Sequence, residues 1–139
     1  MNKIWNKNEN LREFLEGEWE QVGIGILDGH PVETESYSER MAIKDSKTMS
    51  IEHNCFGEWD TVEMGLMVDG NEVTMTQEVV ARGQREGNTY NLKGILDDGR
   101  EVRFKLFALG DKFIQHREIW EKGSVVQIDF SYLTRKTHS

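Results

Sequence analysis

Between residues 69 and 124 the chain meets five short glycine-bearing segments: "DGN" (69–71), "REGN" (85–88), "DDGR" (97–100), "LGDK" (109–112) and "EKGS" (121–124). Glycines in such positions supply the positive φ angles that tight hairpin turns need. Links this short join antiparallel neighbours, because parallel pairing needs a long crossover. Pro31 is the only proline, and proline is kept out of central strands because it cannot donate to the ladder. The chain is therefore constrained to a run of hairpins.

The stretches between the turns alternate with period two, as strands with one buried face do. "REVRFKLFA" sets Val102, Phe104 and Leu106 against Arg103 and Lys105. "SVVQIDFSYLT" sets Val126, Ile128, Phe130 and Tyr132 against Gln127, Asp129 and Ser131. "NEVTMTQEVV" reads as one strand with Val73, Met75, Gln77 and Val79 together, and "TVEMGLMV" gives Val62, Met64, Leu66 and Val68. "SYSERMAIK" aligns Tyr37, Glu39, Met41 and Ile43, "KTMSIEHN" aligns Met49, Ile51 and His53, and "NTYNLKGIL" aligns Tyr90, Leu92 and Leu96. "GEWEQVGIGIL" and "KFIQHREIW" complete the set. One helix is expected over about residues 8–16, with Asn8 as N-cap, Leu11, Phe14 and Leu15 on one face and Gly17 as the stop. Closing a long meander removes both of its raw edges. The expected fold is all-β: an antiparallel up-and-down β-barrel of about 8–10 strands with a short N-terminal helix, a single domain over 1–139 with strands from about 17 to 135.

Composition narrows the partners. Lys plus Arg number 17 against 25 Asp plus Glu, a formal net charge of -8. Phosphate backbones and anionic lipids select the opposite balance, so neither nucleic acid nor a membrane is expected as a partner. No apolar run reaches the roughly 20 residues that span a bilayer, and "MNKIWNKNENLREF" has no apolar signal core. Cys55 is the only cysteine, which suits a reducing, cytoplasmic location. Neither Cys-x-x-Cys nor His-x-x-x-His spacing occurs, so no metal site and no cofactor are implied.

The opening "GEW" (17–19) after a short helix, with "FSYLTR" closing the last strand, resembles lipocalins and fatty-acid-binding proteins, and the small, mostly uncharacterised bacterial lipocalin-like proteins. The resemblance implies that Trp19 closes one end of the barrel and that Arg135 packs across it. Strict alternation puts Arg135 opposite Phe130 and Tyr132, so a bulge or the strand's end would have to re-aim it. Both residues are then structural.

A barrel of about eight strands is either filled by side chains or holds one small ligand. Its expected inward faces carry Tyr37, Glu39, His53, Gln77, Tyr90 and Tyr132 beside flexible methionines. Unpartnered buried polar groups cost about 1–3 kcal/mol each, so this many imply a cavity. The expected function is binding of a small, partly apolar molecule by Tyr37, Met41, His53, Met64, Gln77, Tyr90, Phe104, Arg117 and Tyr132. Over residues 113–120 alternation leaves the inward face open: Phe113, Gln115, Arg117 and Ile119, or Ile114, His116, Glu118 and Trp120. An inward Arg117 would favour a carboxylate head group. The alternative is a lumen-based acid–base enzyme (isomerase, cyclase, dehydratase or hydrolase) using His53 with Glu39, and His116 with Glu118. Haem ligation by His53 or His116 ranks below both. The strand "EWDTVEMGLMV" could pair two subunits as a homodimer.

Overall fold

The computed structural model describes residues 11–27, 30–55, 57–77 and 79–136, and gives the backbone alone at 22–27, 30–37 and 55. The Asn8 cap lies outside the described residues, and so does the Tyr37 side chain. Helix α1 (Leu11–Leu15) precedes ten strands: β1 (Gly17–Leu27), β2 (His30–Ile43), β3 (Thr48–Cys55), β4 (Glu58–Asp69), β5 (Glu72–Thr76), β6 (Val80–Glu86), β7 (Thr89–Ile95), β8 (Glu101–Leu109), β9 (Lys112–Glu121) and β10 (Ser124–Arg135). Each strand pairs antiparallel with the next, and β1 pairs with β10, closing the barrel. No helix among the described residues is long and apolar enough to cross a membrane.

All five glycine segments are turns between consecutive strands. The stretch "NEVTMTQEVV" is not one strand, however: the chain turns at residues 77–79, and β6 follows. This strand escapes a hydrophobic-pattern reading because its core positions are Ala81 and Gly83. Ala81 faces the large Met75, and Gly83 is pressed against the β7 backbone. Met75 and Val73 flank them on β5, and Leu92 faces Gly83 on β7. A β-carbon on Gly83 would collide with the Asn91 carbonyl oxygen.

The last strand corrects a second expectation. Leu133 is buried, and Ser131 and Leu133 line the interior, so the inward face of β10 is the odd-numbered one. Phe130 and Tyr132 therefore point outward. The apolar side of the alternation marks the inside only where the interior is apolar, and here it is partly polar. With this parity Arg135 shares a face with Leu133 and reaches Trp19 without a bulge.

Arg135 and Trp19 are register partners. The guanidinium lies 4.3 Å from the indole centroid and 5.3 Å from the Phe14 ring. Its amino groups donate to the carbonyls of Glu16, at 2.7 Å, and Phe14. The indole Nε1 donates to the Leu15 carbonyl at 2.9 Å. These bonds satisfy carbonyls at the end of a helix too short to stand alone. Leu11, Phe14 and Leu15, spaced i, i+3, i+4, are buried beneath the barrel, and the helix packs on β2 and β4. Gly17 has φ +133, and a β-carbon there would sit 2.8 Å from Arg135 Nη1. The first residue of the Gly-x-Trp motif is thus glycine for backbone and for space.

Candidate functional site

The barrel is packed unevenly. On the β5–β8 side Val73, Met75, Tyr90, Leu92, Val102, Phe104, Leu106 and Ala108 are buried and make up much of the packed core. Towards β1–β4 and β9–β10 the side chains stand apart and leave a chamber of about 460 Å³, within the range of small-molecule sites. Its floor is Leu11 and Leu15 of α1. Met41, Ile51, Met64, Leu66 and Met75 form the apolar wall, and Gln21, Gln115 and Ser131 form a polar wall opposite.

Glu39 and His53 are direct partners across β2 and β3. His53 Nδ1 lies 3.0 Å from Glu39 Oε1, and both side chains line the chamber. Glu39 is 4 % exposed, and His53 is partly open. Burial pushes the His53 pKa below its ordinary value, opposed by the nearby Asp60 carboxylate. Near neutral pH the ring is therefore uncharged. The contact sets Nδ1 on the Glu39 side of the ring, with Nε2 as the other ring nitrogen.

The register explains how this pair comes to lie above the lid. Arg135, Trp19, Glu39, His53 and Asp60 are successive cross-strand partners from β10 to β4. One row thus runs from the closed floor, past the buried carboxylate, to the exposed Asp60.

A second pocket of about 390 Å³ adjoins the first, and Gln77 lines both. Arg117, Phe104, Ile119 and Gln127 line it. The ambiguous strand β9 thus turns Phe113, Gln115, Arg117 and Ile119 inward, with Phe113 and Ile119 in the core. Arg117 Nε lies 2.9 Å from Asp129 Oδ2, which also accepts from Gln127 Nε2 at 2.9 Å.

The structure brings together His53, Glu39, Met41, Met64 and Gln77 around the main chamber. Phe104 and Arg117 stand in the second pocket. Tyr90 is buried in the filled half and lines neither. Tyr132 is on the outer face, as are His116 and Glu118, whose parity on β9 opposes that of Gln115 and Arg117. The His116–Glu118 acid–base pair does not share the lumen with His53. The alternation left β9 open, and its inward face is fixed by the burial of Phe113 and Ile119 and by the Arg117–Asp129 pair. Sequence reasoning left Gln115 open and missed Gln21, Ser131 and Asp129. The signal for the last two was present: counting back by twos from an Arg135 laid over Trp19 gives 133, 131 and 129.

These features define a lipocalin-like barrel: closed, antiparallel, plugged by a short helix, with a Gly-x-Trp–Arg lid and an internal chamber. No protein-family model matches the sequence, and no curated protein matches it. Among solved structures the chain is similar to the S-type phycobiliprotein lyase CPES from Guillardia theta, with TM-score 0.60 and 13 % identity over 92 % of both chains. It is also similar to a protein of unknown function from the DUF3598 family of Nostoc punctiforme, with TM-score 0.64 and 15 % identity, covering 97 % of this chain and 51 % of that one. The chain thus spans about half of the second neighbour's length. Likeness at these identities carries the fold.

Proposed function

We propose that the barrel binds a small, partly apolar molecule in the chamber between α1 and strands β1–β4. The observation that carries this is the uneven filling of the lumen: the β5–β8 half packs most of its side chains together, while the other leaves about 460 Å³ lined by adaptable methionines and a few polar groups. A barrel serving only as a structural body would gain by filling that half with apolar side chains, since unfilled space and buried polar groups both cost stability. The likeness to a phycobiliprotein lyase adds a bilin to the ligands worth testing. The lone Cys55 supports a reducing, cytoplasmic setting.

A neutral, apolar fluorescent dye such as Nile red tests the reading. The wild type should bind one equivalent with a blue-shifted emission. Met64→Trp, which fills the chamber, should weaken binding at least tenfold while keeping a cooperative melt. Equal binding by both proteins would place the dye elsewhere and remove the support.

The His53–Glu39 contact favours a second reading, a proton-transfer enzyme. An imidazole beside a carboxylate, its pKa lowered by burial, is the pairing a general base uses. That reading requires His53→Gln to abolish deuterium exchange into an enolisable ketone such as 2-tetralone, with dye binding retained. Absence of exchange above buffer in the wild type leaves binding as the sole role.

A further inference from the structure

Resting on the binding reading, we propose that the ligand is longer than the main chamber: an elongated molecule with its apolar end on the helix floor and its polar end in the second pocket. Gln77, at the junction, sets the length that is accepted. The inward residues of two neighbouring strands carry this. On β9, Phe113 and Gln115 line the chamber, and the next inward residues, Arg117 and Ile119, line the second pocket. On β8, which pairs with β9, Leu106 lines the chamber while Phe104 and Val102 line the pocket. The two spaces therefore follow one another along the barrel, from α1 towards the turn between β7 and β8. At about 3.3 Å per residue, the strand from Phe113 to Ile119 covers roughly 20 Å.

Polarity changes along the same path. Leu11 and Leu15 form the floor, where an apolar tail gains most from leaving water. The second pocket offers Asp97, Arg100 and Gln127, side chains that can hydrogen-bond a polar head group. Among the described residues Gln77 alone lines both spaces. It stands just past β5, where the chain turns, and its side-chain amide donates to Met64 Sδ at 3.0 Å. A thioether is a weak acceptor, so a ligand displaces that bond at little cost. Gln77 is thus a movable divider rather than a wall.

Two photoreactive sixteen-carbon alcohols test this, one with a diazirine at carbon 2 and the other at carbon 15. Each is delivered from cyclodextrin, irradiated on the wild type, and its labelled residues are mapped by mass spectrometry. The carbon-15 probe should label Leu11, Leu15 or Met41, and the carbon-2 probe Leu96, Phe104 or Ile119. Gln77→Phe should weaken displacement of Nile red by hexadecanol at least tenfold and change displacement by octanol less than twofold. Leu96→Trp narrows the second pocket away from the chamber, should act in the same direction, and serves if Gln77→Phe fails to fold. Labels confined to the floor, or exchanged between the two ends, overturn the inference and leave the binding reading intact. Hexadecanol displacing equally well from the wild type and both variants also overturns it. Nile red failing to bind the wild type overturns both.

Discussion

Glu39 and His53 face each other across β2 and β3 with 3.0 Å between Oε1 and Nδ1, both lining the barrel's main chamber. A buried carboxylate costs stability unless it is paired, and His53 stands beside this one. The consequences reach the chamber, the lid and the packing of the filled side.

The pair sets a pH dependence. Burial lowers the His53 pKa from its ordinary 6.5, so below that value the unfolded chain binds more protons than the folded one. Stability from this group is fully present above pH 6.5 and is lost as pH falls through the folded value. Urea unfolding at pH 5, 6, 7 and 8 should show a steeper decline towards pH 5 in the wild type than in His53→Gln. Parallel curves would mean that His53 titrates alike in both states.

The lid should respond to charge and to shape. Arg135→Ala removes the cation–π contact with Trp19 and two charged hydrogen bonds, and is expected to cost about 2–4 kcal/mol. Arg135→Lys keeps the charge but cannot reproduce the planar fork over both carbonyls, so it should recover less than half of the loss. Thermal denaturation with a tryptophan fluorescence readout would measure both.

Gly83 should be less replaceable than a turn glycine. Gly83→Ala drives a β-carbon into the Asn91 carbonyl and should cost about 2 kcal/mol or more. Gly87→Ala has open space and only a left-handed φ of 63 to strain it, so about 1 kcal/mol is expected. Equal losses by urea titration would show that β6 and β7 can separate to admit a side chain.

The reversed face of β10 predicts opposite effects for neighbouring residues. Ser131→Phe points into the chamber and should abolish Nile red binding, whereas Tyr132→Ala points outward and should change the dissociation constant less than twofold. The converse result would restore the even-numbered residues to the lumen.

The fold was legible because turn glycines and alternation are local signals, and the five glycine segments placed most of the hairpins. β6 was hidden because its core positions are Ala81, which faces Met75, and Gly83, which is pressed against the Asn91 backbone. The floor and lid were legible through Gly17, Trp19 and Arg135. Half of the site was legible too: Glu39 and His53 lie on strands whose other inward residues are apolar. The polar wall was not. On β10 the apolar residues Ile128, Phe130 and Tyr132 occupy the outer face, while Asp129 pairs with Arg117 inside. A pattern that equates apolar with inward must fail on the strand that bounds a polar cavity, and that failure is itself a sign of the cavity.

The most direct test of a ligand-binding lumen is native mass spectrometry of the protein purified from a cell extract, beside its denatured mass. The account predicts a small mass retained at one per chain, released on denaturation and missing from Met64→Trp. The bare chain mass in the wild type, even after incubation with fresh extract, would contradict it.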